Sequence, residues 1–147
     1  MANICKYKVE VRGPKNACFA FWGSMSASDD GQLLEEEGDD LNHKLRFLGF
    51  CKWSVDAYCN PYEGQRPVEI PDDPDQAYWF AMNHYMFHTV QERSEMFDVE
   101  VFCCSNDIDD FFPEEEIYEH YICGAETENN EDEYMHRELE ITDDWFE

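Results

Sequence analysis

CKYKVEVRGPKNACFAFWGSM, residues 5–25, holds the two signals on which the architecture turns. Up to Arg12 it alternates with a period of two, so Cys5, Tyr7, Val9 and Val11 share one face and Lys6, Lys8, Glu10 and Arg12 the other, as in a half-buried strand. Gly13 and Pro14 end that pattern. Proline has no N–H to lose at the first position of a helix, so a helix is expected from Pro14 to about Met25, with Ala17, Cys18, Phe21, Trp22 and Met25 on one stripe. Phe19 then lies opposite the stripe, as an exposed aromatic.

Outward from this unit, SASDDGQLLEEEGDD reads as a polar separator, and LNHKLRFLGFCKWSVDAY reads as a hairpin of strands at 41–48 and 51–58 turning at Gly49. NPYEGQRPVEIPDDPD, with four prolines, is a loop, and Asp75 is the expected cap of the next helix. From Gln76 to Met96 a single long helix is expected, its apolar sector made by Trp79, Met82, Met86, Phe87 and Val90. FDVEVFCCS then alternates Val99, Val101 and Cys103 against Asp98, Glu100 and Phe102. IYEHYICG and MHRELEI read as two further short strands joined by the acidic connector AETENNEDEY, before the terminal TDDWFE.

The order is strand, helix, strand, strand, helix, strand, then an acidic strand extension. It resembles the ferredoxin-like architecture (βαββαβ, α+β), an antiparallel sheet with two helices on one face, as in small ferredoxin-like proteins carried by plasmids and phages. The resemblance rests on VEVRGPKNACFAFWGSM, on Trp53 closing the hairpin and on SEMFDVEVFCC, and it spans about residues 4 to 105. It implies one domain over 1–147, with a core at 1–105 and an extension at 106–147. In that order the first and last core strands are neighbours, which sets Lys6, Lys8 and Arg12 across from Asp98 and Glu100.

The chain carries thirty-five Asp and Glu against ten Lys and Arg, a formal charge of −25, yet 43% of its residues are apolar and 16% aromatic. That charge repels nucleic acid and anionic membranes and favours basic partners, while the aromatic content argues for a folded chain. The excess is local. Residues 1–52 hold seven cations and eight acids, a net of −1; residues 98–147 hold nineteen acids and only Arg137, a net of −18. NDIDDFFPEEEIYEH, 106–120, mixes seven of those acids with Ile108, Phe111, Phe112, Ile117 and Tyr118, apolar residues that a solubility tail lacks. In an extended strand residues i and i+2 lie about 6.6 Å apart on one face, comparable with neighbouring phosphates on a nucleic-acid strand. A rigid strand edge can therefore copy a phosphate ladder without losing ordering entropy on binding.

These residues lead to a non-enzymatic binder that needs no cofactor. Its candidate contacts are Asp107, Asp109, Asp110, Glu114, Glu115, Glu116, Glu119, Glu126, Glu128, Glu131, Asp132 and Glu133, with Trp145 and Phe146 as aromatic anchors inside an acidic rim. Size and composition resemble phage-encoded, DNA-mimicking anti-CRISPR and antirestriction inhibitors. That resemblance implies a basic nucleic-acid-binding partner, a nuclease or CRISPR effector, met in the cytoplasm of a bacterial host. An immunity protein or antitoxin against a basic nuclease toxin is an alternative of the same kind.

A third reading is a small metal-dependent enzyme. His84 and His88 stand four apart in HYMFH, the helical spacing by which two imidazoles share a metal, although the metalloprotease glutamate is absent between them. Seven cysteines without a CxxC, including adjacent Cys103 and Cys104, fit a reduced interior better than a zinc ribbon or a disulfide framework. DDPDQ lacks the glycine and the twelfth-position glutamate of a calcium-binding EF-hand loop. The N-terminus begins its alternation at once, with neither a secretory apolar segment nor a membrane span expected.

Overall fold

A computed structural model describes residues 4–26, 32–52, 68–85, 88–107, 116–126 and 139. In chain order they form β1 (Ile4–Gly13), α1 (Lys15–Ser26), β2 (Gln32–Gly38), β3 (His43–Lys52), α2 (Pro74–His84), α3 (Val90–Phe97), β4 (Glu100–Asp107), β5 (Glu116–Ile122) and β6 (Ala125–Glu126). The strands pair antiparallel in the order β2-β3-β1-β4-β5-β6. Among the described residues the protein is thus α+β, with one open six-stranded sheet and three helices. None of these helices is long and apolar enough to cross a membrane.

The alternation of β1 does what its period demands. Cys5, Tyr7, Val9 and Val11 are all buried, and the last three join Leu45, Phe47, Val101 and Cys103 under the helices in one core. Each large apolar side chain so enclosed is worth about 1.5–3 kcal/mol relative to exposure. The other face of β1 is less open than its charges imply. Glu10 is 0% exposed, with Oε1 accepting from Arg46 Nε at 2.7 Å and Oε2 from Arg12 Nε at 2.8 Å. Beside this pair of guanidiniums a second small core forms from Phe102, Cys104, Tyr118 and Leu139, so both Cys103 and Cys104 are buried although they face opposite ways.

Helix α1 is buried around most of its circumference, because it lies between the sheet and α2. Phe19 is therefore not an exposed aromatic: it is 8% exposed, edge-on to Trp22 at 5.8 Å. The contact with α2 is made by small residues. A Cβ on Gly23 would fall inside the van der Waals shell of the Tyr78 carbonyl oxygen, and α2 buries only Ala77 and Ala81. With its backbone that close to α1, α2 has no room beneath it for large side chains. Trp79, expected in a buried sector, is turned outward and 59% exposed.

The single helix expected over 76–96 is two. Thr89 starts α3 with a reciprocal capping box: its Oγ1 accepts from Glu92 N at 3.1 Å, and Glu92 Oε1 accepts from Thr89 N at 3.3 Å. Met86 and Phe87 of the expected sector lie outside the described residues. Asp73, not Asp75, caps α2, with Pro74 following it.

The expected hairpin turn at Gly49 does not form. Strand β3 runs straight through Gly49, where Tyr7 faces it across the ladder and a Cβ would stand 2.5 Å from the Tyr7 hydroxyl. The hairpin neighbour of β3 is β2, which lies inside the expected polar separator, while β1 pairs with its other edge; the remainder of the expected second arm, 53–58, lies outside the described residues, as does Trp53. β1 and β4 are neighbours, with Arg12 opposite Glu100, but Lys8 faces Cys104, Lys6 faces Asn106, and Asp98 ends α3 in a left-handed conformation. IYEHYICG holds β5 except its first residue, Glu116, and AETENNEDEY begins with β6, while of MHRELEI only Leu139 is described.

Candidate functional site

Five described aspartates are gathered at one end of the molecule for reasons that start at the first turn of α1. The N–H groups there have no partner within the helix. Lys15 N donates to the Asp40 carbonyl at 2.9 Å, which ties down the turn between β2 and β3. One residue on, Asn16 Nδ2 donates to the Pro71 carbonyl at 3.0 Å and ties down the chain entering α2. Two acidic runs some thirty residues apart, Asp39–Asp40 and Asp72–Asp73 with Asp75, are thereby held beside one helix end.

Each run is stiffened by its own backbone. Asp39 Oδ1 accepts from Asn42 N at 2.8 Å and Leu41 N at 3.0 Å, closing the turn on itself. These two hydrogen bonds, Asn42 first, hold the Asp39 carboxyl below its ordinary pKa and keep it ionised. Asp73 Oδ1 accepts from Gln76 N at 3.1 Å as the cap of α2, and Asp75 lies in the first turn, where the helix dipole favours negative charge. All five carboxylates are exposed, and none is in an ion pair among the described residues.

The acids of β2 behave differently. Glu37 meets Lys44 at 2.8 Å, Glu35 meets Arg46 at 3.6 Å, and Glu36 lies 3.1 Å from His43 and 3.7 Å from Lys15. The Lys44 hydrogen bond and charge lower the Glu37 pKa, and the same hydrogen bond raises that of Lys44. Here negative charge is neutralised locally. Arg12, Glu37 and Lys44 also line a cleft of about 600 Å³ at the end of the sheet, with both charge signs already matched across it.

The acids expected to form the contact surface are placed as follows. Glu119 sits on β5 opposite Cys103, half-buried and accepting from the Tyr121 hydroxyl at 2.8 Å, so it serves the fold more than a ladder. Glu126 is exposed on β6 opposite Tyr121. Asp107 pairs with Cys5 and Glu116 with Asn106 at the strand ends. Asp109, Asp110, Glu114, Glu115, Glu128, Glu131, Asp132, Glu133, Trp145 and Phe146 lie outside the described residues.

His84 and His88 do not share a helical face, since α2 ends at His84 and α3 begins at Val90. His84 Nδ1 is 2.8 Å from the Phe80 carbonyl, and His88 Nδ1 is 3.6 Å from Glu92. No group of three or more His, Cys, Asp or Glu that could hold a metal occurs among the described residues. In the sequence Asp39 and Asp40 read only as part of a polar separator, Asp72 and Asp73 only as part of a run that fails the calcium-loop spacing, and Trp79 as one of a buried sector. DDPD carries a helix-start signal in which Pro74 marks the first position and Asp73 the cap, but nothing in sequence links it to Asp39. Comparison with protein-family models, with curated proteins and with solved structures gives no match.

Proposed function

We propose that the chain is a non-enzymatic binding protein that occupies the basic nucleic-acid channel of a partner, in the manner of DNA-mimicking anti-CRISPR and antirestriction inhibitors. The observation that carries this reading is the end of the molecule where Asp39, Asp40, Asp72, Asp73 and Asp75 are exposed and fixed through Lys15 and Asn16. The carboxylates of Asp39 and Asp73, held by backbone N–H groups, present charge at set positions, as phosphates do, and lose little freedom on binding. A solubility surface needs no such fixing. The acids of 107–133 are the further candidate contacts in this reading, and the setting is the cytoplasm of a bacterial host.

Lys and Arg that otherwise hold phosphates would hold these carboxylates, and the channel is blocked by competition. Most of the charge then acts on association rate, while a few desolvated contacts set the lifetime. The fold we propose for the core is ferredoxin-like, supported by β1 lying between β3 and β4 so that the first and last core strands are neighbours. β5 and β6 widen that sheet on the β4 side.

The test is capture from a bacterial lysate on the immobilised chain, eluted with duplex DNA. The expected result is a basic nucleic-acid-binding protein that DNA releases and that is not retained when Asp39, Asp40, Asp72, Asp73 and Asp75 are replaced by Asn. Retention indifferent to DNA and to those replacements would overturn the reading.

A further inference from the structure

Trp79 is the outer end of a continuous aromatic chain. Phe19 meets Trp22 edge-on at 5.8 Å, Trp22 meets Tyr78 at 4.7 Å, and Tyr78 meets Trp79 at 5.4 Å and 89°. The chain starts in the core and ends in an indole that is more than half exposed, which separates it from an apolar residue scattered singly on a surface. The indole is also oriented: Tyr78 fixes its edge contact, and the backbone of Tyr78 is pressed against Gly23 of α1. On α2, Asp75 precedes Trp79 by one turn and shares its outward face, and Asp72 and Asp73 lie just before the helix.

We propose that this face of α2 is the anchor of a protein-binding surface, its occupant a Lys- or Arg-bearing face of a basic protein. A cation seated over the Trp79 ring is attracted by the ring quadrupole and by the Asp75 carboxylate one turn away. Tryptophan is the residue type most often found at the energetic centre of an interface, and an acidic surround selects the sign of the partner. A second copy of the chain is the wrong occupant, because each copy carries a formal charge of −25. The inference rests on the basic-partner reading above and adds to it the point of attachment.

The probe is an oligo-arginine peptide, titrated into the full chain at low salt and followed by the indole N–H resonances of its four tryptophans, with Trp79→Phe assigning one of them. The expected result is a saturable shift of the Trp79 indole that oligo-glutamate does not produce. Trp79→Ala should weaken calorimetric affinity about two- to five-fold without changing its salt slope, because a contact is lost and no charge. Asp72→Asn with Asp73→Asn and Asp75→Asn should flatten that slope. Trp79 is not part of the core, and circular dichroism of Trp79→Ala confirms an intact fold. If the peptide binds and the acid replacements weaken it while the Trp79 indole stays still, the anchor is overturned and the basic-partner reading stands. If calorimetry shows no binding of the peptide and no resonance moves, both fall. A dimer of the free chain that Trp79→Ala disperses would overturn the anchor in favour of self-association.

Discussion

At Asp39 the negative charge is stabilised by the backbone around it. The donors Asn42 N and Leu41 N lower its pKa in the folded chain even though the molecule as a whole is strongly acidic, so local hydrogen bonds outweigh distant repulsion. A carboxyl whose folded pKa lies below its unfolded value stabilises the fold above the unfolded pKa, and the contribution disappears as pH falls through the folded value. Asp39→Asn keeps an acceptor of the same shape but removes the charge. The variant should be less stable than the parent at about pH 7, with the difference vanishing as pH falls below about 3.9, the ordinary aspartate value. Urea midpoints across that range read this directly, and a constant offset would refute it. Cys123 gives a second prediction. It is exposed, yet partial burial, then the hydrogen bond and charge of Asp98, then the charge of Glu100, push its thiol up to about 11. Iodoacetamide should modify it slowly at neutral pH because little thiolate is present. Asp98→Asn should speed that reaction, since asparagine tolerates the left-handed conformation of Asp98 while lacking its charge. An unchanged rate would separate the thiol from Asp98.

The elements show why half of the architecture was legible and half was not. β1 has one face in the main core and strict alternation, β4 alternates over its first residues before Cys103 and Cys104, and sequence alone placed both, with β5 as a short strand. β2 is exposed on both faces, so QLLEEEG carries no alternation and reads as a separator. Gly49 reads as a turn because glycine usually marks one, but here the Tyr7 ring occupies the place of its side chain. The division between α2 and α3 was written in T-V-Q-E, a capping box hidden inside an apolar periodicity that spans it. The acidic end was illegible for another reason: it is assembled by Lys15 and Asn16 from segments that no local pattern connects. The α1–α2 seam supports a prediction at this scale. Alanine is the better helix former by about 1 kcal/mol, so an isolated helix would gain from Gly23→Ala. In the protein the new methyl meets the Tyr78 carbonyl, backbone that cannot rotate away, and α2 must shift. We expect a net loss of about 1–3 kcal/mol in urea unfolding, the usual cost of overpacking. A gain in stability would mean that the two helices part at little cost.

For the molecule as a whole, a large excess of charge of one sign opposes folding. With a formal charge of −25 the compact state suffers more self-repulsion than the expanded one, and salt relieves it. Salt also weakens the exposed pairs Lys44–Glu37 and Lys15–Glu36, but such pairs are worth at most about 1 kcal/mol each. The Glu10–Arg46 contact is buried and is screened much less. Repulsion among many acids therefore outweighs attraction within a few pairs, and the thermal midpoint should rise with sodium chloride, most steeply where the Debye length shortens from about 30 Å at 0.01 M to about 8 Å at 0.15 M. Binding to a basic partner should move the opposite way, because the same screening weakens attraction between the two proteins. A chain whose stability rises and whose affinity falls over one salt series carries its excess charge for contact. If the midpoint were flat or fell with salt, the acids would be compensated inside the fold, as those of β2 are, and the exposed Asp39 and Asp72 runs would contribute little field to an approaching partner.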